Sequence, residues 1–111
     1  MTVLFIGGTH QGKAALARAL YPALPLAENL HVRVREELAA GRDPMALLDT
    51  LRGCAITCDE VGCGVIPIDR ADEAWREAVG RLCCAIAAEA DAVIRVTAGI
   101  PQFIKGENPC I

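Results

Sequence analysis

Hydrophobic positions in this chain fall into two patterns, short unbroken runs and apolar residues spaced by about four, and each pattern calls for a different element. Residues 2–6 (Thr2, Val3, Leu4, Phe5, Ile6) form a continuous β-branched and aromatic run stopped by Gly7 and Gly8. Such a run reads as a buried parallel strand. From Gly12 to about Tyr21 the chain is rich in Ala and Leu, with Leu16 and Leu20 four apart and Pro22 behind them, which predicts a helix. Residues 22–29 are a Pro-containing connection with a brief extended piece around Leu24 to Leu26. Leu30, Val34 and Leu38 then recur with Arg33, Arg35, Glu36 and Glu37 between them, an amphipathic helix ending at Gly41. Asp43 as a cap and Pro44 at the first helical position start another helix of about two turns, which Gly53 closes.

Residues 54–58 give a second buried strand, followed by a glycine-bearing loop that reaches Pro67. The longest helix is expected over about Ala71 to Ala90, with Trp75, Val79, Leu82 and Ile86 along one face. Gly80 in its middle costs about 1 kcal/mol relative to Ala unless a neighbouring backbone packs close. Residues 92–97 form the third strand, broken by Gly99, Ile100 and Pro101. Strands separated by helices imply right-handed crossovers and a mostly parallel sheet. Three strands make a narrow sheet, whose edges need cover from loops or a partner chain.

Composition narrows the class. At 111 residues the chain is read as one domain spanning 1–111, and with 53% hydrophobic residues but four aromatics its core must be built from Ala, Val, Leu and Ile. No apolar stretch approaches the roughly 18 residues of a membrane span, and no basic region followed by a cleavable apolar segment opens the chain. A cytoplasmic protein is expected. The net charge of -3 and the scattered basic residues lack the clustered positive footprint of a nucleic-acid surface, so no nucleic-acid partner is expected. Six cysteines without C-x-x-C spacing read as free thiols rather than a disulfide framework or a metal site. Alternation places Cys54 and Cys58 on one strand face as small hydrophobes.

The candidate chemistry begins at Gly7-Gly8-Thr9-His10-Gln11-Gly12-Lys13. Gly7, Gly12 and Lys13 satisfy G-x-x-x-x-G-K between an apolar strand and a helix, the context the motif requires. Glycines let the backbone turn its N–H groups toward phosphate oxygens, and the helix N-terminus adds partial positive charge. Lys13 is the catalytic candidate reaching the β and γ phosphates, and Gly7 through Ala14 are the nucleotide-binding candidates. GTP or ATP with Mg²⁺ is the expected cofactor set. Ala14 stands where the motif places a Ser or Thr hydroxyl on Mg²⁺; because Mg²⁺ keeps several waters, phosphate binding tolerates this loss better than catalysis does. Asp59 and Glu60, at the end of the second strand, are the metal candidates, Glu60 also a catalytic one, with a solvated acidic turn as the alternative. His10 is read as an exposed turn residue or a phosphate donor, and His31 as lying on the charged side of its helix.

The loop after the second strand is more specific. Asp59-Glu60-Val61-Gly62-Cys63-Gly64-Val65-Ile66-Pro67, with Arg70, Gly80-Arg81, Ala87, Ala90-Asp91, Val93, Ala98-Gly99-Ile100-Pro101 and Lys105, closely resembles the C-terminal half of the adenosylcobinamide kinase/adenosylcobinamide-phosphate guanylyltransferase family. The N-terminal Gly-Gly-x-x-x-Gly-Lys also matches that family's phosphate loop. The resemblance implies an α/β fold, a small P-loop three-layer sandwich with a mostly parallel sheet. It implies an oligomer that binds a nucleotide and phosphorylates the amino-propanol arm of a corrinoid, then transfers GMP through a guanylylated histidine. Carried over by motif, Gly62 and Gly64 join Glu60 in the loop lining the nucleotide site, and Glu28 stands near the family's acid at a strand end. Two departures qualify this: Ala14, and a drastically shortened middle segment that takes the histidine-bearing stretch with it. His31 lies in no matching motif and is not assigned as the guanylylated residue. The expected function is therefore nucleotide binding with corrinoid phosphorylation, without guanylyl transfer; the alternative is a non-catalytic nucleotide or corrinoid sensor or partner.

Overall fold

In a computed structural model, the protein is described over residues 1–60 and 69–109. Strand β1 (Val3–Gly7) is hydrogen-bonded on both sides, to β3 (Ala55–Asp59) and to β4 (Ala92–Thr97), all three parallel. This central position explains the unbroken apolar run: Val3, Leu4 and Phe5 are each at most 1% exposed, because both faces of an inner parallel strand are covered. A short strand β2 (Leu26–Ala27) extends the sheet beyond β3, and the antiparallel β5 (Ile100–Lys105) closes the other side, giving the order β2-β3-β1-β4-β5.

Alternation along β1 divides the core in two. Val3 and Phe5 face α1 (Lys13–Leu20), packing with Ala17, Tyr21, Ala55, Ile94 and Val96. Leu4 faces the opposite layer, where Leu30 and Val34 of α2 (Leu30–Ala39), Leu51 of α3 (Leu47–Leu51) and Val79, Leu82 and Ile86 of α4 (Arg70–Glu89) meet Ile56 and Cys58. The result is the expected α/β three-layer sandwich. Cys54 and Cys58 both join the second core, and the Cys58 thiol touches that of Cys83 at 3.7 Å. Cys63 and Cys110 lie outside the described residues.

Local signals set most element ends. Asp43 accepts a hydrogen bond from the Met45 amide and starts a 3-10 turn (Pro44–Ala46) that leads into α3, so the two-turn helix expected after Pro44 is split between these pieces. Asp69 caps α4 by accepting from the Asp72 amide at 2.8 Å. At the other end of α4, Lys105 donates to the carbonyls of Ala87 and Ala88 at 2.9 and 3.1 Å, placing a cation on the helix's negative end. Among the described residues a Cβ on Gly80 would meet nothing within 4 Å, so no close backbone approach by them accounts for that glycine.

Among the described residues the sheet has five strands rather than three. The extended piece near Leu26 is held as a strand by pairing with Ala55 and Ile56. The segment at Gly99, Ile100 and Pro101 does not simply break β4. Ala98 and Gly99 both take positive φ, 51° and 76°, the geometry of a tight hairpin turn that reverses the chain with the right twist. Pro101 is tolerated because β5 is an edge strand, where a missing N–H need not break a ladder.

Candidate functional site

Chain β1 leaves its strand through α1 on one face of the sheet, whereas its neighbour β3 is followed by α4 on the other. A crevice opens between adjacent strands whose connections diverge in this way, outside their carboxyl ends. The register puts Gly7 directly beside Asp59, and the Glu60 amide donates to the Gly7 carbonyl at 2.8 Å. The glycine loop and the strand-end acids therefore reach the same edge at the same height. A cavity of about 320 Å³ lies there, lined by residues from Thr9 to Ala15 and by Glu28, Asn29, Thr57 and Asp59.

Gly7 is required by contact rather than by torsion. A Cβ on it would fall 2.4 Å from the Val96 carbonyl oxygen of β4. Gly12 is required by torsion, with φ of 85° where it begins α1, and His10 also takes a positive φ of 60°. Among the described residues no side chain caps the first turn of α1.

Lys13 is 7% exposed and turned back over its own loop. Its ammonium donates to the Gly8 carbonyl at 2.7 Å and, longer, to that of Gly7 at 3.4 Å, and it pairs with Asp59 Oδ1 at 2.7 Å. The other oxygen, Asp59 Oδ2, accepts from the Thr9 hydroxyl at 2.8 Å and lies 3.4 Å from His31 Nε2. Burial pushes the Asp59 carboxyl up, but hydrogen bonds from Lys13 and Thr9, with the nearby charges of His31 and Lys13, outweigh it and hold the group below the usual aspartate range.

His31 is the residue the sequence reading placed elsewhere. It sits on the first turn of α2, where its Nδ1 accepts from the Asp59 amide at 3.1 Å and its carbonyl accepts from Trp75 Nε1 at 2.8 Å. With Nδ1 an acceptor, the neutral ring carries its proton on Nε2, facing the Asp59 carboxylate. Burial is the main cause holding its pKa below the ordinary value; Asp59 opposes that effect and Lys13 reinforces it. Asn29, at the start of α2 with φ of 58°, donates its amide to the Thr57 hydroxyl at 2.9 Å, tying the end of β2 to β3. The signal for His31 was topological: it follows a strand that ends at the same sheet edge as the glycine loop.

Of the two strand-end acids, only Asp59 meets Lys13. Glu60 is held by Arg95 of β4, with contacts of 2.9 and 3.0 Å to its two oxygens. Glu28 faces Arg18 at 3.5 Å on the rim. Gly62 and Gly64 lie outside the described residues. The described residues contain no group of three or more His, Cys, Asp or Glu side chains gathered as for a metal, and none of their helices is long and apolar enough to cross a membrane.

A mostly parallel sheet whose central strand runs through a G-x-x-x-x-G-K loop into a helix, with an acid on the neighbouring strand end beside the lysine, defines a P-loop protein. More narrowly, the chain belongs to the cobinamide kinase / cobinamide phosphate guanyltransferase family, whose sequence model matches residues 26–104. Enzymes of this family use nucleoside triphosphates. The matched span begins at β2, so the glycine loop precedes it, while His31, Asp59, Glu60 and the Ala98–Gly99 turn fall within it. No curated protein matches the chain.

Proposed function

We propose that the protein binds a nucleoside triphosphate, ATP or GTP, through the Gly7 to Ala14 loop and transfers its γ-phosphoryl group to the hydroxyl of a corrinoid side arm. The observation that carries this reading is the convergence of Lys13, Thr9 and Asp59 at the mouth of the crevice, with ion-pair and hydrogen-bond distances of 2.7 and 2.8 Å, in a chain of the corrinoid family.

In this reading the triphosphate displaces the internal partners of Lys13. The ammonium then meets the β and γ oxygens, while the uncapped amides of the first turn of α1 supply further donors. Transfer forms a bond from the acceptor oxygen to the γ-phosphorus and breaks the bond from that phosphorus to the β–γ bridging oxygen. The nucleoside diphosphate departs and the acceptor's proton passes to solvent. Positioning and neutralisation of charge do most of the work in such a transfer. The donor set suits magnesium, because Asp59 and Thr9 offer hard oxygen atoms and Mg²⁺ binds through one or two carboxylates plus phosphates and water. Asp59 and Thr9 would hold the ion, which supplies charge neutralisation between the phosphates when bound. In this reading Glu60, paired with Arg95, stands at the periphery of the arrangement. Neither His31, fixed at both nitrogens, nor exposed His10 is assigned a guanylylated role.

Ala14 favours a second reading, a nucleotide or corrinoid sensor that binds without transfer, since the hydroxyl ligand of the metal is missing. Incubation with Mg²⁺, γ-labelled ATP or GTP and adenosylcobinamide separates the two. Label appearing in the corrinoid, and lost in Lys13→Ala, supports the kinase. Saturable nucleotide binding without label transfer selects the sensor, and neither binding nor transfer overturns both.

A further inference from the structure

The glycine loop is tied to a part of the molecule that its motif does not mention. Gln11 Oε1 accepts from the Ala98 amide at 2.5 Å, and the Gln11 main-chain carbonyl accepts from the Gly99 amide at 2.9 Å. One residue thus grips both central residues of the β4–β5 turn, by side chain and by backbone. The two contacts are possible because Ala98 and Gly99 both take positive φ, which turns consecutive amides toward the loop. Gly12 lies beside the turn, where a Cβ would make only ordinary contact with the Gly99 Cα at 3.7 Å; its φ of 85°, not lack of space, calls for glycine there.

The geometry points to Gln11 as a positioning residue that keeps the phosphate loop in its anion-receptive form by anchoring it to the β4–β5 turn; this rests on the phosphate-binding reading of that loop. A phosphate cradle needs N–H groups facing the anion and carbonyls facing away. The peptide between Gln11 and Gly12 is planar and trans, so its C=O and N–H point in opposite directions. Holding the Gln11 carbonyl on Gly99 therefore turns the Gly12 N–H away from the hairpin, and Gly12 lines the cavity. The Gln11 side chain adds the second anchor, and its amide orientation is fixed by chemistry. The Ala98 N–H can only donate, so it must meet the oxygen, which leaves Nε2 facing the Thr9 carbonyl at 3.5 Å. Without the side-chain anchor the Gln11 peptide keeps only its bond to Gly99, and the exposed stretch from Gly8 to His10 only its ties to Lys13 and Asp59, so the loop is less tightly held and part of the binding energy goes to reordering it.

The test compares wild type with Gln11→Met, which keeps the side-chain length but loses the acceptor, and Gln11→Glu, which keeps the acceptor. In the free proteins, amide hydrogen exchange at Ala98 and across residues 8–12 should accelerate in Gln11→Met and return toward wild type in Gln11→Glu. In titrations of ¹⁵N-labelled protein with Mg-ATP or Mg-GTP, the Ala98 and Gly99 resonances should shift with the same midpoint as those of the loop. The affinity of Gln11→Met should fall roughly three- to tenfold, the equivalent of one neutral hydrogen bond, with cooperative unfolding retained. Wild-type exchange rates in Gln11→Met overturn the anchoring role, as does undiminished nucleotide affinity in that variant. If wild type binds neither nucleotide, the phosphate-binding reading fails and this role for Gln11 falls with it, while altered exchange in Gln11→Met would still mark a purely structural anchor.

Discussion

Lys13 is satisfied within the protein by two carbonyls and one carboxylate, so an incoming triphosphate must offer it more than Asp59 and Gly8 already do. In the proposed reading, phosphate oxygens take the place of Asp59 and Gly8 around Lys13 and Asp59 turns to the metal, so the outcome would rest on the magnesium ligands. Ala14 is the position where one change tests this: Ala14→Ser should strengthen nucleotide binding in Mg²⁺ and leave binding in EDTA unchanged, as measured by titration calorimetry. Equal effects in both conditions would detach residue 14 from the metal. Gly7 makes a different prediction, because its Cβ would collide with the Val96 carbonyl and backbone cannot yield cheaply. Gly7→Ala should lower stability by about 1–3 kcal/mol, the usual range for overpacking, read as a lower urea midpoint with unchanged slope. The sequence showed that Gly7, Gly12 and Lys13 belong together because their spacing is local. It did not show that His31 meets Asp59, because that contact joins residues 28 positions apart and depends on β2 and β3 being neighbours. Gln11 was visible as a loop residue, but Ala98, the partner of its side chain, is 87 positions away.

Among the elements, those with strong local signals were legible to within a residue or two: β1, α1, α2, α4 and β4 each carry a clear run, period or cap. The two strands underread, β2 and β5, lack such signals. β2 has two residues and exists because β3 offers it a ladder. β5 follows an Ala-Gly turn, a weaker hairpin signal than Asn-Gly, and contains a proline that ordinarily argues against a strand. The turn carries a conformational cost at Ala98, which is exposed with φ of 51°, a torsion Asn adopts far more readily than Ala. Ala98→Asn keeps the amide that Gln11 grips and should raise stability by roughly 0.5–1 kcal/mol on that account. Gly80 offers a parallel gain on α4. It is exposed, and none of the described residues lies within 4 Å of where its Cβ would stand, so Gly80→Ala should stabilise by about 0.8–1 kcal/mol, several degrees in melting temperature for a domain of this size. A Gly80→Ala protein melting no higher than wild type would mean that the position carries a constraint absent from the packing of the described residues.

At the scale of the whole molecule, the acid sensitivity of the fold should come in two steps of the same sign. His31 has its pKa held below 6.5, chiefly by burial against the sheet edge, with Lys13 nearby. In the unfolded chain it takes up a proton near 6.5, before the folded protein does, so the unfolded state binds more protons and stability falls as pH drops below that value. The carboxyls shift in the same direction. Asp59 is held below 3.8 by Lys13 and Thr9 against its own burial, and Glu37 and Glu89 are held below 4.5 by hydrogen bonds from Arg42 and Arg52. Their contribution is complete above the unfolded values and is lost below about 4.5 as each group protonates. Glu89 is exposed, and Glu37, itself half-buried, pairs with an exposed Arg42, so the second step should shrink in salt, whereas the His31 step, set by burial, should not. Urea midpoints between pH 8 and 3, at low and high salt, would separate the steps. His31→Asn should remove the decline between pH 6.5 and 5 and leave the lower one in place. A wild-type midpoint that stays flat from pH 7.5 to 5 would show that the sheet edge tolerates a charged His31, and that the contact with Asp59 offsets the burial that the fold imposes on the ring.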